Sequence, residues 1–167
     1  LMAFKDGTVN PRHTDEYKDY VFIDDGWAKN GTYCIIRRIQ IHIETWDRTA
    51  LEEQEATFGR KRISGAPLTG KKEFDEMDLG AKDSSGEYVI PADAHARLAH
   101  EAKTSIKRRA YNYTAGTNDK TGALETGLLF ISFQKATQQF IDIQNHLGHK
   151  DKLNAVSYTH LTLPTKA

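Results

Sequence analysis

A single acid, Asp6, stands in FKDGTVNP, residues 4–11, close to the start of the chain. Gly7 supplies a positive φ and Pro11 fixes its own, so the plain reading is a turn. What such an acid does there, ahead of any core, is left open by local chemistry. Further on, IPADAHARLAHEAKTSIKRRAYNY, residues 90–113, holds His95 and His100. They are five apart, poor spacing for two ligands on one helix face, and each reads plainly as a surface or satisfied-core histidine. As a metal ligand, either would need the metal to be held by something else. A porphyrin does that with four nitrogens, leaving the protein one axial imidazole to add. Arg108 and Arg109 alternate on a strand pattern, one inward and one outward, and an inward arginine is costly unless an anion pairs with it. His146 and His149 lie three apart at a helix end, with His160 not far beyond, and make a poor metal site. Tyr111 and Tyr113, beside the arginines, would suit a stacking platform of the RNA-binding kind.

The totals restrict the choice. Lys plus Arg and Asp plus Glu balance at 23 each over 167 residues, which argues against nucleic acid or an anionic membrane as partner. No apolar run approaches the length of a membrane span. The length suits one domain or a fragment of a larger one. Cys34 is the only cysteine, which excludes an internal disulfide; set in TYCII, it reads as a small buried hydrophobe. The chain opens on Leu1, and a missing N-terminus is expected. At the other end, VSYTHLTLPT, residues 156–165, can be encoded by DNA that resembles the transposase adapter of sequencing libraries. Native sequence is therefore expected to end near Ala155, an ordinary terminal strand being the alternative.

The elements that must position these residues follow from periodicity. Residues 31–44 alternate, with Ile39, Ile41 and Ile43 on one face, and read as a half-buried strand. DRTALEEQEATFG, residues 47–59, offers Thr49 and Glu52 at capping-box spacing and Gly59 as a stop, and reads as a short helix. Residues 60–91 break every period and read as one long loop, of the kind that tends to be functional. Tyr111 and Tyr113 alternate with polar neighbours; after a turn, TGLLFISFQ, residues 126–134, places Leu129, Ile131 and Phe133 in register, so a hairpin is expected. Residues 136–147 carry a helical stripe closed by Gly148. With a final strand where the suspected tail sits, the order is a ferredoxin-like split β-α-β: an α+β fold on an antiparallel sheet with one long insertion.

In family order, FKDGTVNP, GTYCIIRRIQIHIETWDRT, EQEATFGRKRISGAPL, IPADAHARLAH, RRAYNY and GLLFISFQ resemble the C-terminal half of a dye-decolorizing (Dyp-type) haem peroxidase. The likeness is closest to its deferrochelatase/peroxidase-like branch. The resemblance implies haem b as cofactor, and residues 60–91 and their flank as a haem-loop insertion. Asp6 is implied as the acid on the distal face, Arg108 as the distal arginine, and His95 as the proximal iron ligand. Gly7, Thr8, Val9, His100, Glu101 and Ala102 match haem-contacting positions, and the resemblance gives Arg108 an additional role as anchor of a haem propionate. Trp27, Trp46, Tyr111 and Tyr113 are candidates to relay electrons, on residue type alone. Residues 1–30 are then a distal-acid loop and linker, 31–155 the ferredoxin-like haem-binding domain, and 156–167 the non-native tail.

The implied reaction oxidises bulky organic reductants such as dyes with hydrogen peroxide. Deferrochelatase action, iron release from intact haem, is the alternative within the family, and a non-catalytic haem- or RNA-binding module is the alternative outside it. No nucleic acid and no membrane span are expected. The oligomeric state, a homo-oligomer included, stays open, and family analogy points to twin-arginine export to the periplasm or cell envelope. Three departures stand out: Ala3 where the family motif has Gly, Glu101 where Pro is common, and Asp142 within a usual PIQ. Because alanine penalises positive φ, a shifted turn is expected before Asp6.

Overall fold

The structure, a computed structural model, describes residues 2–5, 8–10, 13–148 and 150–160. Strand β1 (Tyr33–Ile41) is followed by α1 (Ile43–Arg48) and α2 (Leu51–Phe58). After a long insertion come α3 (His95–Glu101), β2 (Lys107–Arg108), β3 (Tyr111–Thr117), β4 (Leu124–Gln134), α4 (Thr137–Leu147) and β5 (Ser157–His160). The sheet runs β2-β4-β1-β5, with β3 also on β4, and every pairing is antiparallel. This is the ferredoxin-like α+β arrangement expected. β5 comes from within residues 156–165, the stretch expected to be a tail, and covers the free edge of β1 from Arg38 to Ile41.

Residues directly opposite in an antiparallel pair share a face, so the register sorts the sheet. Ile35, Arg37 and Ile39 lie with Ser132, Phe130 and Leu128. α4 covers this side: Phe140 meets Phe130 with ring centroids 6.1 Å apart, and the Arg37 guanidinium lies 5.7 Å from the Phe140 ring. Burial there lowers the pKa of Arg37. Cys34 and Ile36 point the other way, and both are exposed, Ile36 by 63%. The expectation of a buried Cys34 is thus corrected. The TYCII run is apolar on both faces of β1, and among the described residues α4 packs over the Arg37 face while Cys34 and Ile36 stay exposed.

Two further expectations change. β1 ends at Ile41 because His42 turns out of the strand, its carbonyl accepting the N–H groups of Thr45 and Trp46. Ile43 therefore opens α1 instead of continuing the Ile39–Ile41 face. The short helix is retained by Trp46, which is 1% exposed and packs against Phe4 and Phe58; burying an aromatic of that size outweighs the weak propensity of six residues. Thr49 is not the cap of α2 either. It ends α1, its hydroxyl donating to the Thr45 carbonyl, and Ala50 precedes α2 with no side-chain cap. Gly59 does stop α2, at φ 76, and a Cβ there would press on Ile90 and Ala94 at 3.0 and 3.3 Å. That close approach fits the end of α2 against the start of α3.

Candidate functional site

α3 begins at His95, immediately after the fully buried Ala94. The helix is braced by Arg97, whose Nη1 donates to the Ile90 carbonyl at 2.9 Å and whose Nε donates to Glu101 at 3.0 Å. The His95 ring stands edge-on to Phe58, centroids 6.1 Å apart. Its Nδ1 lies 2.7 Å from Oδ2 of Asp151, a carboxylate that is nearly completely buried and whose Oδ1 accepts the N–H of Leu153 at 3.0 Å. A carboxylate on Nδ1 selects the tautomer with its proton there, which leaves the lone pair on Nε2 for a metal.

This donor set bears on what could bind. Among the described residues there is no cluster of three or more His, Cys, Asp and Glu side chains able to hold a metal ion. His146 pairs loosely with Glu101, 3.5 Å apart, while His149 and the side chain of His160 lie outside the described residues. One carboxylate-backed imidazole fits an iron already held by a macrocycle, and does not fit a bare ion.

Asp6 and Gly7 lie outside the described residues. The residues around them are fixed from two sides. Thr8 donates to Glu73 at 3.2 Å and Lys5 forms an ion pair with the same carboxylate at 2.6 Å. Asn10 meets the backbone of Arg108, accepting its N–H at 3.0 Å and donating to its carbonyl at 2.8 Å. Ala3 takes φ 61. Alanine thus adopts a left-handed conformation where the family motif has glycine; the turn at Asp6 and Gly7, for which a shift was expected, lies outside the described residues.

A cleft of about 350 Å³ opens beside this loop, lined by Thr8, Val9, Arg60, Glu73, Phe74 and His100 among others. Of the sequence-predicted set, Thr8, Val9 and His100 come together there. His95, Ala102 and Arg108 are not in its lining, and Glu101 is turned away, its carboxylate between Arg97 and His146. Arg60 is held below its ordinary pKa first by burial; Glu73 acts against this and the Arg108 charge adds to it. The cleft carries Arg60 and His100 beside the carboxyl-bearing Glu73, Asp75 and Glu76, and Arg60 spends Nη1 on the carbonyls of Gly65 and Glu73.

The profile of the C-terminal part of Dyp-type peroxidases matches residues 1–162. The chain belongs to the Dyp-type peroxidase family. It is 39% identical over 161 residues to the deferrochelatase of Yersinia pestis bv. Antiqua (strain Nepal516), covering 89% of this chain and 36% of that protein. For the deferrochelatase of Escherichia coli (strain K12) the identity is 38%, over 89% and 37%. This Dyp-type chain thus spans little more than a third of the length of those curated relatives. Its fold matches the DyP-type peroxidase from Cellulomonas bogoriensis with a TM-score of 0.89 and 37% identity, over 95% of this chain and 45% of that one. The oxyferrous complex of DtpA from Streptomyces lividans gives 0.89 and 34%, over 95% and 46%.

Sequence reasoning missed Asp151, Asn10 and Glu73. Asp151 and His95 are 56 residues apart and Asn10 and Arg108 98 apart, so no local spacing could pair them. Of the aromatic candidates, Trp46 is in the stack that reaches His95 through Phe58, whereas Trp27 is 98% exposed. Tyr113 lies under the Arg38 guanidinium, 4.7 Å from its ring, which closes one face of the supposed stacking platform.

Proposed function

We propose that this Dyp-type chain serves haem-dependent peroxidase chemistry, with hydrogen peroxide as oxidant and bulky organic molecules such as dyes as reductants. The observation that carries the reading is the His95–Asp151 pair, Nδ1 to Oδ2 2.7 Å, because a carboxylate-backed imidazole suits the proximal role that the resemblance implies for His95. Haem b, when bound, would supply the iron at which peroxide is split and oxidising equivalents are stored. His95 would hold that iron through Nε2, and Asp151, by accepting the Nδ1 proton, would fix the ring and raise its basicity. Asp6 would take the proton from the inner peroxide oxygen and return it to the outer one, assistance worth roughly 10²–10⁴-fold. Arg108 would stabilise the negative charge growing on the departing oxygen and pair with a propionate. Thr8, Val9 and His100, with Gly7 and Ala102, would line the macrocycle, while the Glu101 carboxylate stays with Arg97 and His146.

The relatives named deferrochelatase, 38–39% identical, favour a second reading in which the same pocket releases iron from intact haem. One titration addresses both. Haemin is added and the Soret band recorded, peroxide-driven dye oxidation is followed, and iron-free porphyrin is sought by its emission. The peroxidase reading expects His95→Ala to lose the axial Soret signature. It also expects Asp6→Asn and Arg108→Leu to keep Soret absorption while losing turnover by at least about 100-fold. Full turnover in Asp6→Asn would overturn the distal assignment, and porphyrin emission without dye oxidation would select the second reading.

A further inference from the structure

The two hydrogen bonds between Asn10 and Arg108 use both polar groups of the Arg108 backbone. β2 pairs with β4 through its other edge, where Arg108 stands opposite Ser132 and the Arg109 N–H reaches the Ile131 carbonyl at 2.8 Å. The Asn10 carboxamide therefore does for one residue what a further strand would do, and closes the edge that the sheet leaves open at Arg108. The loop bearing Asn10 has a second anchor. Glu73 holds Lys5 and Thr8, and is itself fixed by Arg60, whose Nη1 donates to the carbonyls of Glu73 at 3.0 Å and Gly65 at 2.8 Å. Gly65 packs so tightly here that a Cβ would meet the Lys5 side chain at 2.8 Å.

We infer that Asn10 is a positioning residue: it sets the direction in which the Arg108 side chain leaves β2 and couples that direction to the loop held by Glu73. The inference rests on the distal role given to Arg108 above. A two-point grip on the backbone fixes the Cα–Cβ direction more tightly than one hydrogen bond can, and a guanidinium misplaced by about 1 Å loses much of its effect on a reacting centre.

Two measurements test it. Hydrogen exchange on the 167-residue chain, without haem, is expected to show the Arg108 amide exchanging about tenfold faster in Asn10→Ala, with β4 unchanged. In the haem-loaded protein, fluoride affinity is followed in the optical spectrum, because an anion on the iron accepts a hydrogen bond from a distal guanidinium. It is expected to fall about tenfold in Asn10→Ala, and at least as far in Arg108→Leu. Asn10→Ser, polar but without the two-point reach, is read in the same way should Asn10→Ala fail to fold. Unchanged fluoride affinity in Arg108→Leu would sink the distal role of Arg108 and the inference with it. A loss in Arg108→Leu with wild-type fluoride affinity in the Asn10 variants would overturn the inference alone, whether or not exchange at Arg108 had risen.

Discussion

Ala3 holds φ 61, a conformation in which an L side chain crowds the following carbonyl at a cost of roughly 1–2 kcal/mol. Glycine pays part of that difference back as chain entropy, so Ala3→Gly is expected to stabilise the chain by about 0.5–1 kcal/mol in urea denaturation. An unchanged midpoint would show that the loop relaxes around alanine. At the other end of the site, Asp151 satisfies both His95 and the Leu153 N–H from a buried position. Asp151→Ala leaves both without that acceptor and is expected to cost about 2–3 kcal/mol. Asp151→Asn, which keeps an acceptor oxygen, should recover part of this; equal losses in the two variants would refute the hydrogen-bond explanation.

Elements were legible where one face alone is buried. The residues of β4 and the stripe of α4 follow from alternation and from the 3.6-residue period, and both appear nearly as expected at Leu124–Gln134 and Thr137–Leu147. α1 was not legible. Six residues carry too little period to register, and the helix exists because Trp46 finds Phe4 and Phe58, contacts that no local pattern encodes. The capping-box spacing of Thr49 and Glu52 misled for the same reason: the threonine was already committed to closing α1. At the centre of the sheet, Gly127 sits opposite Gln40, and a Cβ there would overlap the Ile39 carbonyl oxygen. Gly127→Ala is expected to cost about 3 kcal/mol or more by forcing β1 and β4 apart. Chemical denaturation measures this directly, and a loss below about 1 kcal/mol would mean that the strands give way easily.

For the whole molecule, stability is expected to be bounded by titration on both sides. Asp75 accepts the N–H groups of Lys72 and Lys71, Asp83 is held by the Ser85 hydroxyl and N–H, and Glu44 accepts the Leu124 N–H; all three carboxyls are lowered below their ordinary values. A depressed carboxyl contributes stability that is whole above its unfolded pKa and lost as pH falls through the folded one. The insertion and the start of β4 should therefore loosen below about pH 4. Tyr20 goes the other way, pushed up to about 12 by burial and then by Tyr17, Glu16 and Asp19. Its contribution is whole below the ordinary 10.0 and lost as pH rises towards 12. Thermal melts across pH should show a plateau that falls away at both ends. Tyr20→Phe should flatten the alkaline fall, and an alkaline limb identical to wild type would refute the assignment.

The sequence alone carried the fold class, the order of the main elements and the family, because side-chain period and motif order are properties of the chain itself. It also nominated His95 and Arg108. What supports those two was settled only in three dimensions, where the fold brought Asp151 to the imidazole and Asn10 to the arginine backbone. The tertiary structure likewise decided that Cys34 faces outward, since a strand apolar on both sides does not say which side a helix will cover.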